Sequence, residues 1–238
     1  MLAPPKFALL TTIDHPLLPG YAAELRDLGI TDYAIICDKQ GIGYSSGRLI
    51  LDRIGGWNLA NHYDLCIDKD LPETPFYFVE NHNCVECERL ILNLEIDLLV
   101  NAGTPRRIAS NILASVRSGV LNIHPGELPH YRGKNCPEWA IHNNDQVILS
   151  AHFMTEHYDE GAVLAVKSLE PRIFASYEDF RKAIYMNTFE LTAATIKRII
   201  NGNASPLFDS RQLPSKYPVQ EAMPPEILQS VRNFFSKK

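Results

Sequence analysis

The chain has 238 residues, of which 45% are hydrophobic and 21% are charged. This is ordinary globular composition, so disorder is excluded as the dominant state, and the length favours one domain with an appendage over two full domains. No apolar run approaches the roughly 18–20 residues of a membrane span, and the N-terminus lacks the basic start and cleavage site of a signal peptide. We therefore expect no membrane partner.

The charge and the cysteines indicate partners and compartment. The net charge is −5, from 23 basic and 28 acidic residues, whereas a nucleic-acid partner usually needs a basic face, so we expect none. The five cysteines are odd in number and scattered, which does not indicate a disulfide framework. Cys37 and Cys66 lie in apolar runs and are predicted to be small core residues. This use of cysteine favours a reducing, cytoplasmic compartment.

Short apolar runs alternate with helical patterns along the first half of the chain. Runs that are apolar on both faces predict buried strands over 6–13, 32–38, 76–80, 96–103 and 120–124. Glycine stops and Pro105 in a first turn predict helices between them, over 16–29, 45–55, 84–94 and 105–118. The alternation implies βαβ crossovers and therefore a doubly wound, mostly parallel, Rossmann-like α/β sheet.

The second half of the chain changes pattern. Two strands are predicted over 147–156 and 161–170, around a short loop, and a long helix over 176–201. Apolar residues recur along that helix at helical spacing and are expected to be core: Phe180, Ile184, Phe189 and Ile196. Prolines make the segment after Gly202 mostly irregular, with a short helix over about 225–236. We expect a domain over 1–201 and a C-terminal extension over 202–238.

An amide and an imidazole are placed together at the end of one predicted strand. Asn122 and His124 are two residues apart, so both side chains lie on the same face, roughly 7 Å apart. Pro125 cannot continue a central strand, which puts His124 at its carboxyl end. Ligands of open α/β sheets bind outside the carboxyl ends of strands, so this pair lies at the expected ligand edge.

A carboxylate follows in the connection between the next two strands, where Asp159 could orient or charge an imidazole. Each feature alone is weak, because a single histidine at a strand end is more often structural and Asp-x-Gly suits any turn. The order of the motifs is more specific: Asn-x-His-Pro, Leu-Pro-x-Tyr-x-Gly, a Trp-Ala-Ile helix and His-Phe before Asp-x-Gly.

Three segments resemble the formyltransferases that use 10-formyltetrahydrofolate: NIHPGELPHYRG (122–133), PEWAI (137–141) and AHFMTEHYDEGAVL (151–164). That family includes glycinamide ribonucleotide, methionyl-tRNA and sugar N-formyltransferases. The resemblance covers about 96–170 by motif and 1–95 by topology, and it does not reach the tail. It implies a formyltransferase catalytic domain over 1–201, with Asn122, His124 and Asp159 as catalytic residues.

The chemistry suits those residue types. An amine that attacks the formyl carbon creates a tetrahedral intermediate with a negative oxygen. Asn122 and a protonated His124 can each donate a hydrogen bond to that oxygen, and each donor typically lowers the barrier by about 3 kcal/mol. Asp159 can keep His124 charged and relay protons. Neither a metal nor a covalent intermediate is required.

The resemblance also implies a folate pocket between the loop after the 96–103 strand and the Asp159 turn. The residues expected to bind 10-formyltetrahydrofolate, chiefly through the loop backbone, are Gly103, Thr104, Arg106, Arg107, Ile108 and Tyr158. Alternatively, the two arginines are solvated surface charges and Tyr158 packs the turn.

Two departures from the family bear on the acceptor. Gly126 stands where many members have serine, which suggests a changed backbone or a wider opening near the amine. The junction over 11–16 lacks the Gly/Ser-rich phosphate loop of the purine enzyme, so a ribose-phosphate acceptor is poorly supported. The extension is also too short for the additional domain of the tRNA enzymes. We therefore expect an amino sugar, linked to a nucleotide, as the acceptor; a homodimer is compatible with the chain.

Alternatives remain open. Water in place of the amine would make the protein a formyltetrahydrofolate hydrolase, and a noncatalytic member would bind only folate or a partner protein. Cys84 and Cys87, with His82 nearby, invite a zinc site, but a structural site needs four ligands, and a helix start is favoured instead. Trp139 either stacks on a substrate or is buried in a helix.

Overall fold

A computed structural model describes residues 4–12, 15–41, 48, 50–52, 55–63 and 73–236. The chain forms two compact units, Met1–Asn122 with Thr192–Ala204 and Ile123–Leu191 with Ser205–Lys238. The predicted α/β class with a mostly parallel sheet is confirmed. The division at 201/202 stays a prediction. Among the helices described, none is long and apolar enough to cross a membrane.

The first unit is built on parallel strands. They are β1 (Phe7–Thr12), β2 (Ala34–Asp38), β3 (Phe76–Val79), β4 (Leu98–Asn101) and β5 (Gly119–His124), whose last two residues belong to the second unit. Their order is β3-β2-β1-β4-β5. The chain winds outward from β1 in one direction and from β4 in the other, which is the doubly wound order, and ligands of such sheets bind at this reversal.

The helices of the first unit are α1 (Leu18–Asp27), α2 (Leu59–His62), α3 (Val85–Asn93) and α4 (Ser110–Ala114). Of the helix predicted over 45–55, the described residues 48 and 50–52 are helical. Cys37 is a buried core residue as predicted, whereas Cys66 lies outside the described residues.

One predicted helix is much shorter than expected. The pattern predicts a helix over 105–118, but α4 contains only Ser110–Ala114. Side chains from other segments take the backbone groups that a longer helix would pair internally. Asn83 accepts from the Ala109 N–H and donates to the Arg107 carbonyl, both at 2.9 Å. This tertiary bonding overrides the local propensity and keeps 103–109 as a loop.

The second unit is built on antiparallel strands. β6 (Val147–Phe153) pairs with β7 (Ala162–Leu169), which pairs with the short β8 (Phe208–Asp209). The α-helices described here are, in chain order, α5 (Cys136–His142), α6 (Tyr177–Ile200) and α7 (Pro225–Phe235), and α6 ends in the first unit. The four α6 residues predicted to be core are buried: Phe180, Ile184, Phe189 and Ile196. The tail after 202 is more structured than expected, because it adds β8 and a 3-10 turn at Ser210–Gln212.

Candidate active site

The second unit holds a pair of titratable side chains, of which His124 is buried and Asp159 is half-buried. His124 is the last residue of β5, and Asp159 lies in the β6–β7 connection with a left-handed φ of 52°. His124 Nδ1 lies 3.2 Å from Asp159 Oδ1. The other carboxylate oxygen accepts the Gly133 N–H at 2.8 Å, and His124 Nε2 lies 2.8 Å from the Tyr131 carbonyl oxygen. The structure therefore brings two of the three predicted catalytic residues into direct contact.

The partners of His124 set its charge. A carboxylate and a carbonyl can only accept, so both ring nitrogens donate and the ring is an imidazolium. Burial disfavours the charged ring, but the Asp159 carboxylate outweighs it and raises the pKa of His124 from 6.5 to about 10. Burial likewise disfavours ionised Asp159, but the imidazolium and the Gly133 N–H lower its pKa from 3.8 to about 2. The two groups are thus an ion pair at neutral pH.

A second histidine near this pair stays neutral. His152 on β6 is buried, and burial, followed by repulsion from the His124 charge, lowers its pKa to about 4. Its Nδ1 lies 3.2 and 3.3 Å from the carbonyl oxygens of Phe153 and Glu160, so this nitrogen carries the proton.

The loop over 131–134 contacts both members of the pair, and the C-terminal part of the chain holds this loop. Gln220 N–H donates to the Arg132 carbonyl at 2.7 Å, and Lys134 N–H donates to the Gln220 carbonyl at 2.9 Å, on either side of Gly133. The segment 215–223, hereafter the C-terminal strap, is anchored further along by Trp139 Nε1, which donates to the Glu221 carbonyl. Trp139 lies in helix α5 but is half-buried rather than buried, and stacking on a substrate stays a prediction.

Asp145 anchors the beginning of the C-terminal strap. Lys216 Nζ and the Tyr217 hydroxyl both lie 2.8 Å from Asp145 Oδ2, which also accepts the Tyr131 hydroxyl at 2.6 Å. Hydrogen bonds from Lys216 and Tyr131, outweighing burial, lower the pKa of Asp145 to about 2. The strap and the loop are therefore joined through one carboxylate as well as through the backbone.

Gly126 has a steric reason to lack a side chain. A Cβ at this position would lie 2.6 Å from His124 Nε2 and would also collide with the Tyr131 carbonyl oxygen. The missing side chain lets the imidazolium reach the loop backbone. This accounts for glycine at the position where the resemblance leads one to expect serine.

The third predicted catalytic residue lies in the first unit. Asn122 Oδ1 accepts from Asn101 Nδ2 at 2.9 Å. Asn101 Oδ1 in turn accepts the N–H groups of Gly103 and Thr104, at 3.1 and 2.9 Å. The sequence reasoning missed Asn101. A signal was present, because a polar residue ends the apolar strand β4, and the parallel register that pairs Val100 with Leu121 places Asn101 beside Asn122.

The loop over 103–108 uses several of its side chains within the protein. Arg106 lies 2.8 Å from the buried carboxylate of Asp38, and the Thr104 hydroxyl lies 2.7 Å from His82 Nδ1. Because His82 Nε2 faces the Ile36 carbonyl and burial lowers the ring's pKa, Nδ1 accepts from Thr104. Ile108 is buried, which leaves mainly the loop backbone for a ligand.

The remaining residues predicted to bind folate are at the surface. Arg107 is exposed, and its carbonyl accepts from Asn83. Tyr158, beside Asp159, is 62% exposed. A role in ligand binding stays a prediction for all six residues.

The junction after β1 offers few backbone donors to an anion. Pro16 and Pro19 have no N–H, and the N–H groups of Leu17 and Leu18 donate to His15 Nδ1 and to its carbonyl oxygen, both at 3.3 Å. Ile13 and Asp14 lie outside the described residues. The amides that begin α1 are therefore engaged within the chain.

The Cys84-x-x-Cys87 segment begins a helix, as predicted, with Cys84 preceding Val85 of α3. Within the ranges that the structure describes, no group of three or more His, Cys, Asp or Glu side chains could hold a metal ion.

The fold and these residues define an α/β protein with polar groups at the carboxyl ends of β4 and β5. Residues 70–194, more than half of the chain, match the family described as formyl transferase, and the chain belongs to that family. The resemblance seen in the sequence is thereby confirmed.

Two relatives differ in the acceptor that their names give. The chain is 28% identical over 115 residues to a methionyl-tRNA formyltransferase of Borrelia duttonii, covering 48% of this chain and 37% of that protein. It is 28% identical over 109 residues to a GDP-perosamine N-formyltransferase of Brucella melitensis, covering 45% and 40%. The chain thus spans about two fifths of the length of these curated relatives.

The fold also matches solved structures. Phosphoribosylglycinamide formyltransferase from Bacillus halodurans superposes with a TM-score of 0.59 at 18% identity, covering 82% of this chain and 95% of that one. At this identity the match shows a shared fold.

Proposed function

We propose that this protein transfers a formyl group from 10-formyltetrahydrofolate to the primary amine of a small molecule. The observation that carries the proposal is the ion pair between the buried His124 and the half-buried Asp159, within the part of the chain that matches the formyl transferase family. Burial disfavours a positive charge because the charge loses its water, and here Asp159 overcomes that cost. Groups with pKa values perturbed in this way cluster at functional sites.

The chemistry needs few groups. The amine nitrogen bonds to the formyl carbon, the bond from that carbon to the folate nitrogen breaks, and a proton passes from the amine to the folate nitrogen. The products are a formamide and tetrahydrofolate. Asn122 and the imidazolium of His124 donate to the oxygen of the tetrahedral intermediate, each worth about 3 kcal/mol. His124 Nε2–H becomes available when it exchanges the Tyr131 carbonyl for that oxygen, and Asp159 keeps the ring charged throughout.

The donor is expected to bind along the backbone of 103–108, and a role for Tyr158 in binding it stays a prediction. Arg106 and Thr104 support this loop from within the protein, through Asp38 and His82. A loop braced in this way presents fixed N–H and carbonyl groups, which suits a flat heterocycle that carries donors and acceptors along one edge.

The acceptor we propose is an amino sugar linked to a nucleotide. The engaged amides at the start of α1 disfavour a ribose-phosphate in that place, since a phosphate site needs free N–H groups. The net charge of −5 disfavours tRNA. A relative named for formylation of GDP-perosamine supports a sugar acceptor.

The test incubates the protein with 10-formyltetrahydrofolate and a panel of aminated sugar nucleotides, glycinamide ribonucleotide and aminoacylated tRNA, followed by mass spectrometry. We expect a mass gain of one formyl group on a sugar nucleotide, and a loss of turnover by at least a hundredfold in His124→Ala. Loss of formyl to water without any acceptor would establish the hydrolase instead. Folate binding without turnover would establish a noncatalytic member, and near-normal turnover in His124→Ala would refute the assigned site.

A further inference from the structure

We propose that Asn101 is a positioning residue that fixes which end of the Asn122 carboxamide faces the reacting formyl group. This inference rests on the proposed function, because it gives Asn101 a task only if Asn122 donates to the tetrahedral intermediate. It concerns residues of the first unit alone.

The orientation follows from which groups can donate. The two ends of a carboxamide have nearly the same shape, so only their partners distinguish them. The N–H groups of Gly103 and Thr104 can only donate, and both point at one atom of Asn101, which must therefore be Oδ1. The opposite end of Asn101 is then its NH2 group.

The same reasoning applies to the carboxamide of Asn122. The NH2 group of Asn101 lies 2.9 Å from Asn122, so the atom it meets must be the acceptor Oδ1. The NH2 group of Asn122 is thereby set on the far side. The N–H groups of Gly103 and Thr104 thus fix the orientation of Asn101, and Asn101 fixes the orientation of Asn122. Asn122 therefore presents its NH2 group to its other neighbours. The reverse orientation would set two NH2 groups against each other.

Two substitutions separate positioning from support of the turn. Asn101→Asp is isosteric and still accepts from Gly103 and Thr104, but it cannot donate to Asn122. The Asn122 amide then turns to donate to the new carboxylate, and its oxygen replaces the NH2 group that faces the reaction. Asn101→Ala removes the turn contacts and the constraint together, but it does not force this reversal.

We expect kcat to fall by about a hundredfold in Asn101→Asp, with the KM values of donor and acceptor within about threefold of the parent. Asn101→Ala should lower kcat only about tenfold, and its KM for the donor should rise because the Gly103 and Thr104 N–H groups lose their acceptor. A residue that merely braces the turn at 101–104 would give the opposite order, because the aspartate keeps both turn contacts. Finding Asn101→Asp equal to or milder than Asn101→Ala would overturn the inference.

Asn187→Asp is the matched control. Asn187 also donates through Nδ2 to a carbonyl oxygen, that of Ala183 at 2.7 Å, but it does so within helix α6 and takes no part in the 103–108 loop. We expect its kcat to stay within about threefold of the parent. An equal hundredfold loss in this control would show that any such loss of an amide donor is damaging, and would overturn the inference.

A double-mutant cycle distinguishes failure of the inference from failure of the proposed function. In the Asn122→Ala background, Asn101→Asp should cause no further loss of kcat, because Asn101 acts through Asn122. A full further loss would refute the positioning role. If Asn122→Ala itself leaves kcat unchanged, the proposed role of Asn122 in the reaction is wrong, whatever Asn101 does.

Discussion

The charge of His124 depends chiefly on one neighbour, Asp159. Burial alone would keep the ring neutral, as it does for His152, and Asp159 reverses the outcome. Replacing Asp159 with asparagine removes the negative charge but leaves the burial. The pKa of His124 should then fall from about 10 to below its ordinary 6.5, leaving a neutral ring at pH 7.5. We expect turnover to fall at least a hundredfold, and an NMR titration of the His124 ring to show the change. A ring that still titrates near 10 would contradict the assignment.

The same pair makes stability depend on pH in a defined direction. The pKa of His124 is raised, so its contribution to the free energy of unfolding is full below pH 6.5 and is lost as the pH rises through about 10. The pKa of Asp159 is lowered, so its contribution is full above pH 3.8 and is lost as the pH falls through about 2. The stability difference between the parent and Asp159→Asn should therefore be largest between pH 3.8 and 6.5. Denaturant unfolding across pH measures it, and a difference that grows toward pH 10 would refute the ion pair.

Gly126 should be intolerant of the smallest side chain. Its φ is not left-handed, so alanine meets no backbone strain there, and the effect is steric. Gly126→Ala displaces the His124 ring or the Tyr131 carbonyl, and we expect about 1–3 kcal/mol of destabilisation with at least a tenfold loss of kcat. Gly202→Ala is the control: its φ of 72° costs some stability, but a Cβ there meets no atom within 4 Å. Its kcat should not change, and equal activity in the two variants would contradict the steric argument.

At the scale of elements, the C-terminal strap acts on the pair through the backbone of one loop. Gln220→Pro removes the N–H that donates to the Arg132 carbonyl, next to the Gly133 N–H that holds Asp159. We expect kcat to fall by roughly tenfold or more and the pKa of His124 to decrease, because Asp159 loses its fixed position. The pH profile of kcat detects that decrease, which a general loss of stability would not produce.

Gln220→Ala is the matched variant, because it keeps both backbone hydrogen bonds and loses only the side-chain contact with the Pro218 carbonyl. It should behave as the parent does. If the proline and alanine variants have the same kcat and the same pH profile, the strap does not position the loop.

These elements also show where sequence reasoning ends. The strands of the first unit and the contact of His124 with Asp159 could be predicted, because apolar runs and side-chain motifs consist of particular residue types that the sequence shows directly. The strap could not be, because Gln220 pairs with Arg132 and Lys134 through main-chain groups that every residue other than proline carries. Helix α4 was overestimated for a related reason, since Asn83 lies more than twenty positions from the backbone groups it takes.

At the scale of the whole molecule, charge bears on the choice of acceptor. The family includes enzymes named for tRNA and for nucleotide sugars, and the 238 residues carry a net charge of −5. A protein that binds tRNA through many phosphates releases counterions, and its affinity falls by a factor of about 10³–10⁵ between 50 and 200 mM salt. A sugar nucleotide offers few phosphates, so its salt dependence should be small.

We therefore expect kcat/KM for the best aminated sugar nucleotide to change by less than about tenfold between 50 and 200 mM salt. Added tRNA should not compete with that substrate at either salt concentration, because the acidic chain repels the phosphate backbone. The same amino sugar without its nucleotide is the control, since its kcat/KM should show almost no dependence on salt. Strong inhibition by tRNA at 50 mM salt that disappears at 200 mM would show that the protein binds nucleic acid, and would refute the argument from net charge.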